Sequence, residues 1–173
     1  MKKCIIFSFM TILCLPVHSQ EATTAVNRVA SCEINPTQNS RVSGTVTFTE
    51  TASGIMIVAD LTGLPKGSHG FHIHEKGDCT APDGSSAGGH FNPSQHQHGN
   101  RDSEMRHTGD MGNIEADSSG KAHLEYLDKM MTFDGENSII GRSVIVHEKA
   151  DDYKTQPTGN SGARIGCGII RLL

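Results

Sequence analysis

The chain has no apolar run long enough to cross a bilayer, no excess of positive charge, no long amphipathic helix and few cysteines. Each shortage removes a class of protein. The apolar stretch Cys4 to Leu15 is only twelve residues, against the roughly 20 that a spanning helix needs. Lys2 and Lys3 precede it, Pro16 breaks it, and Val17-His18-Ser19 sets small or short residues at −3 and −1 of a cleavage after Ser19. That is the layout of a secretory signal. Residues 1–19 are therefore expected to be a signal peptide, and residues 20–173 the mature domain. A retained anchor is the lesser alternative. A lipoprotein reading at Cys14 is weaker still, because Leu13 stands where a small residue is expected.

Cleavage would remove two lysines and two cysteines, so the formal charge moves from −4 to −6 and three of five cysteines stay. An acidic domain argues against nucleic acid or an anionic membrane as partner, so neither is expected for the mature form. The 173 residues less the first 19 leave 154, enough for one domain that buries roughly 68–70% of its unfolded surface. Three cysteines in an oxidising compartment suggest one disulfide and one spare thiol. Cys79 lies in a Gly/Asp/Pro-rich loop and Cys167 in an apolar C-terminal run, whereas Cys32 sits in the strand-like Val29 to Ile34. The favoured pair is Cys79 with Cys167, leaving Cys32 as a buried small apolar residue. Pairings through Cys32 remain the alternative.

What is present is a rhythm of short strands: 41–50, 54–61, 70–75, 120–127, 142–148 and 165–172. Val42 to Phe48 alternates polar and apolar positions over much of its length, as a half-buried strand does. Turn signals such as Leu64-Pro-Lys-Gly67 and Asp117-Ser-Ser-Gly120 separate the runs. Nineteen glycines reinforce an all-β class, a sandwich or barrel. No repeat and no domain linker is visible. Two intervals break the rhythm, 76–110 and 149–164, and long loops in a compact domain are usually functional or disordered.

The chemistry gathers beside those intervals. In His72-Ile73-His74 the residues i and i+2 of a strand share a face, ~7 Å apart at the backbone. Such a pair can chelate a metal, though an isolated His-x-His is more often an ordinary surface pair. His90, His96, His98, His107 and Asp110 follow within twenty-one positions, and Ser143 to Glu148 ends an apolar strand at His147. Imidazole with carboxylate suits zinc. Several imidazoles with few sulfurs favour copper(II).

Five ordered blocks, Gly70-Phe-His-Ile-His-Glu75, Gly89-His-Phe-Asn-Pro93, Arg106-His-Thr-Gly-Asp-Met-Gly-Asn113, Ile140 to Asp152 and Gly159 to Gly168, resemble the motifs of copper–zinc superoxide dismutases. The similarity spans most of the chain after residue 19. It implies a Greek-key β-sandwich or flattened barrel with two long functional loops, a fold of which this family is itself a known example. It implies copper at His72, His74, His90 and His147, and zinc at His90, His98, His107 and Asp110, with His90 shared. Successive zinc ligands in the family are eight, nine and three residues apart. The set 90, 98, 107 and 110 reproduces those intervals and leaves His96 to the surface. Asp151 matches the aspartate linking a copper histidine to a zinc histidine, here His72 and His98. Arg164 matches the arginine that attracts the anion beside copper. His69 is expected to make structural hydrogen bonds and His123 to lie on a polar strand.

The implied reaction is disproportionation of superoxide to oxygen and hydrogen peroxide, with His90 and Arg164 as the catalytic side chains. By family analogy the chain forms a homodimer. Its compartment is either the bacterial periplasm or the extracellular space. Arg164 follows His147 by only seventeen positions, fewer than in animal cytosolic relatives, and Lys154 is a candidate for replacing part of the lost positive field. Gly166 stands where alanine is usual. Three rivals are weaker: a copper-carrying domain, a copper-only relative and a zinc hydrolase activating water. The full ligand set argues against each.

Overall fold

The computed structural model describes residues 27–173. The signal segment read on residues 1–19, with His18 and Cys14, lies outside the described residues. Among those described, nine strands account for the regular structure, with one short 3-10 turn at Ser85–Ala87. They are β1 (Val29–Pro36), β2 (Ser43–Thr51), β3 (Gly54–Thr62), β4 (Gly67–His74), β5 (Asp110–Ala116), β6 (Ala122–Asp128), β7 (Ser143–His147), β8 (Arg164–Ile169) and β9 (Arg171–Leu172). No helix here is long and apolar enough to cross a membrane.

Neighbouring strands run β2-β3-β6-β5-β4-β7-β8-β1, and a β1–β2 pairing closes the ring. Every pairing is antiparallel. Because β3 pairs with β6 rather than with β4, the connections β3 to β4 and β6 to β7 cross the barrel in Greek-key fashion. β8 and β9 are successive partners of one edge of β1, the first at Asn35 and Pro36, the second at Ala30 and Ser31. The apolar tail is therefore divided: Ile170 is core, while Leu172 and Leu173 are exposed.

Period-2 alternation fills the interior. Ala30, Cys32 and Ile34 of β1, Val46 and Phe48 of β2, and Ile55, Ile57, Ala59 and Leu61 of β3 all point inward. Each large side chain so buried is worth about 1.5–3 kcal/mol. Cys32 is fully buried and free, and burial pushes its thiol up to about 12, which keeps it inert.

β4 differs, because every residue from His69 to His74 is buried. Phe71 and Ile73 belong to the barrel core. The residues that alternate with them, His72 and His74, face the outside of the wall and are covered by the two long loops. Those loops bond to the strand's backbone: Phe91 N–H to Ile73 carbonyl, Ile73 N–H to Gly109 carbonyl, and Gly70 N–H to Lys149 carbonyl. β7 divides in the same way, with Val144 and Val146 inside and Ile145 packed on the outer cluster of Ala87 and Cys167.

Two devices tie the loops down. Arg106 and Asp128, both buried, form an ion pair at 2.5 Å, and Arg106 also donates to the carbonyls of Arg101, His107 and Thr108. Cys79 and Cys167 form the disulfide, joining positions 88 apart. Closing an interval of that length restricts the unfolded chain. Replacing both cysteines by serine is expected to lower unfolding free energy by about 4–5 kcal/mol, as read by denaturant titration of the metal-free protein. A loss under about 1 kcal/mol would contradict the loop-entropy account.

Candidate metal centre

Six histidines and one aspartate from distant parts of the chain converge on the outer wall. His72 and His74 come from β4, His147 from the end of β7, and Asp110 from the start of β5; His90, His98 and His107 come from the loop between β4 and β5. All seven are buried. They fall into two groups whose ligand atoms lie within 4.8 Å of one another: His72, His74, His90 and His147, and then His90, His98, His107 and Asp110. His90 belongs to both.

The ring nitrogens explain how. His90 Nδ1 lies 2.9 Å from Asp110 Oδ1 and 3.4 Å from His107 Nδ1, on the side of the second group. Its Nε2 points into the first group and is buried without a hydrogen-bond partner. His72 Nδ1 is also buried and unpartnered, while His74 Nε2 and His147 Nε2 face each other at 3.4 Å. Buried polar atoms are nearly always satisfied, and an unsatisfied one costs about 1–3 kcal/mol. Imidazole nitrogens aimed at a common point without protein partners are what a cation would satisfy.

The second group makes the same case differently. Nδ1 of His90, His98 and His107 all lie within 2.9–3.3 Å of the one oxygen, Asp110 Oδ1. A carboxylate oxygen has too few lone pairs for three donors in that geometry, whereas a divalent cation would bind all of these atoms together.

Electrostatics separates the groups. Burial drives His72 and His74 well below the ordinary imidazole value and takes His147 down to about 3. Those rings are neutral at physiological pH, the form that binds metal. His98 behaves oppositely. Burial alone would lower it, but hydrogen bonds to Asp110 and Asp151 outweigh that and raise it to about 9. Without a metal this ring carries the positive charge that the two carboxylates demand.

Outer contacts orient the ligands. Asp151 Oδ2 lies 2.9 Å from His72 Nε2 and its Oδ1 lies 2.8 Å from His98 Nε2, so one carboxylate spans both groups. Asn113 holds Asp151 in turn: its Oδ1 accepts from Asp151 N at 2.7 Å and its Nδ2 donates to Asp151 O at 2.9 Å. Gly159, at φ 65, passes so close that a Cβ there would sit 1.9 Å from Asp151 Oδ1. His74 Nδ1 lies 2.9 Å from the Gly88 carbonyl.

Arg164 donates through Nη1 to Gly84 O and through Nη2 to Gly88 O, each at 2.7 Å. The Gly88 carbonyl thus touches both His74 and Arg164. The cation contributes to keeping His74 and His147 neutral, and it lines a surface cleft with Asp83, Ser85, Gly162 and Ala163.

The other histidines stand apart. His69 places both ring nitrogens against carbonyls, of His147 at 2.9 Å and Pro65 at 2.8 Å. His96 is half-buried against the Arg106 carbonyl and lies in neither group. His123 pairs with Asp60 on the exposed surface. Asn113, Gly84, Gly88 and Gln156 act on the site without having been singled out as site residues. Their contacts use or engage backbone, which leaves no spacing signature.

The copper/zinc superoxide dismutase (SODC) family model matches residues 42–170. The extracellular superoxide dismutase [Cu-Zn] of Drosophila melanogaster is 47% identical over 150 residues, covering 80% of this chain and 82% of that one. Superoxide dismutase [Cu-Zn] 5 of Dictyostelium discoideum is 45% identical over 140 residues, covering 76% and 91%. The crystal structure of the clock protein EA4 superposes with a TM-score of 0.78 at 35% identity, covering 89% of this chain and all of that one. With a model match across most of the chain and these relatives, this protein belongs to the copper/zinc superoxide dismutase family.

Proposed function

We propose that His72, His74, His90 and His147 hold copper, that His90, His98, His107 and Asp110 hold zinc, and that Arg164 receives superoxide. The activity is that of the family: two superoxide anions and two protons give one O2 and one H2O2. Copper when bound supplies the one-electron exchange, and zinc supplies a fixed divalent charge without redox chemistry. The chain does the rest. Buried neutral imidazoles present their lone pairs, and Asp151 fixes the tautomers of His72 and His98 by accepting at their outer nitrogens. His90, addressed at both nitrogens, makes the two sites one centre. It is also the group placed to carry a proton at Nε2. Arg164 keeps a cation at a surface cleft and shares the Gly88 carbonyl with His74.

The observation that carries this reading is the His90 ring, with Nδ1 committed to the Asp110 side and Nε2 buried and unpartnered on the other. Elemental analysis of protein loaded with both ions, run beside a superoxide-quenching assay, tests it. One copper and one zinc per chain with activity dependent on copper are expected. Activity without copper, or zinc alone at both sites, would overturn it.

Asp151 gives a sharper check on the zinc side. Asp151→Ala is expected to weaken zinc retention by roughly 10–100-fold, the usual cost of removing an outer partner of a ligating histidine. Competition with a chelator measures this, and wild-type zinc affinity in the variant would remove Asp151 from the role.

Export fits the extracellular relatives and the disulfide. We take residues 1–19 as the signal peptide, residues 20–173 as the delivered domain, and the bacterial periplasm or the extracellular space as its destination. Release by osmotic shock, against recovery from the medium, distinguishes the two. We further take the mature chain to be a homodimer, consistent with the exposed Leu172 and Leu173. A monomer mass in sedimentation equilibrium would reject that.

A further inference from the structure

His98 occupies a stretch, residues 92–106, that has no helix or strand. Its ring is fixed from both sides by Asp110 and Asp151. Its backbone needs separate anchoring, because a ligand on irregular chain is only as well placed as its Cα. That anchor comes from 58 positions away. Gln156 Oε1 accepts from His98 N at 2.8 Å, and Gln156 Nε2 donates to His98 O at 2.9 Å. A planar amide carries a donor and an acceptor side by side. It can therefore pair with the N–H and C=O of a single residue much as a neighbouring strand would.

Gln156 is itself held in place. Its Nε2 also reaches the Lys154 carbonyl at 3.2 Å. Asp152 accepts from the backbone N–H of Lys154 and Thr155 and from the Thr155 hydroxyl. Gly159 N donates to Thr155 O, and Asp152 N donates to Gly159 O. The turn 152–159 is thus closed by its own hydrogen bonds and presents the amide as a fixed group. The residue is exposed overall, so its substitution removes no core packing.

We propose that Gln156 is a positioning residue for the zinc side of the centre, a strap by which loop 149–163 sets how tightly His98 holds its metal. The inference rests on the assignment of zinc to His90, His98, His107 and Asp110. It extends that assignment to a residue that touches neither the metal nor any ligand ring. Asp151 secures the outer nitrogen of the His98 ring, and Gln156 secures the peptide that carries the ring. One short loop thereby fixes both.

The test uses the metal-loaded full-length mature protein and follows transfer of zinc to a colorimetric chelator. Gln156→Ala is expected to release zinc about 10-fold faster, at the low end for loss of an outer partner. Copper release and the melting temperature of the metal-free protein should stay as in the wild type. Unchanged zinc release in Gln156→Ala, with His98→Ala stripping zinc, would overturn the strap. So would parallel shifts in zinc release, copper release and metal-free melting, since these indicate general loosening. Zinc retained by His98→Ala is a different failure: it would reject the metal assignment itself.

Discussion

Replacing His90 by alanine is expected to abolish superoxide dismutation and to disturb both metal sites, a larger effect than any other single ligand change. The ring sits between the groups, with centroids 4.1 Å from His72, 5.0 Å from His74, 5.5 Å from His107 and 6.2 Å from His147. Any of the other six ligands can be lost from one ion alone. His90→Ala removes a ligand from each and breaks the connection between them. Activity should fall by more than about 100-fold, exceeding what loss of an outer partner costs. Copper and zinc, measured on the same sample, should both be substoichiometric. The fold should survive, because His90 lies outside the apolar core cluster and the disulfide does not involve it. Melting of the metal-free variant checks that. Retention of one copper and one zinc with near-native turnover would show that the two groups work independently.

Much of this centre is legible in the sequence. Strand parity puts His72 and His74 on one face, and through the family resemblance the intervals eight, nine and three point to His98 over His96. Strand parity also explains why the site lies on the outer wall: Phe71 and Ile73 take the core, so His72 and His74, which alternate with them, must face away. Other elements were hidden for physical reasons. β5 begins at Asp110, the last residue of the interval that reads as a long loop, and the sequence shows no strand signal over 110–116. Its alternation is also broken, since Met111 and Ile114 are both core and Gly112 between them adopts φ 78. The register of β4 with β5 shifts between Gly70 and His72 at the same place. A period-2 pattern cannot be read through such an irregularity. The clamps by Asn113 and Gln156 were invisible for another reason. An amide that recognises backbone can be paired with almost any residue type, so neither partner's identity advertises the contact.

Arg164→Glu is expected to slow the reaction severely while leaving both metals bound. The chain carries a formal net charge of −4, so an anion approaching it meets repulsion unless a local cation directs it. Arg164 provides one: it lines a surface cleft and shares the Gly88 carbonyl with His74, and a guanidinium stays charged in proteins. Steering by such a group changes encounter rates by about 10–10³-fold; this family is itself a known case, so the range is a general one. Reversal of the charge should therefore cost kcat/KM a factor of that order at low salt. The deficit should shrink as ionic strength rises, because the screening length falls from about 30 Å at 0.01 M to about 8 Å at 0.15 M. Charge is only part of the role. The guanidinium also holds the carbonyls of Gly84 and Gly88, and the Gly88 carbonyl orients His74. Arg164→Lys keeps the charge but cannot reproduce the two-point fork. It should retain the salt dependence and recover only part of the rate. Arg164→Met should lose both. Stopped-flow decay of superoxide across a salt series, with metal analysis of each variant, separates the contributions. Near-native turnover by Arg164→Glu at low salt would show that the anion is guided by other groups.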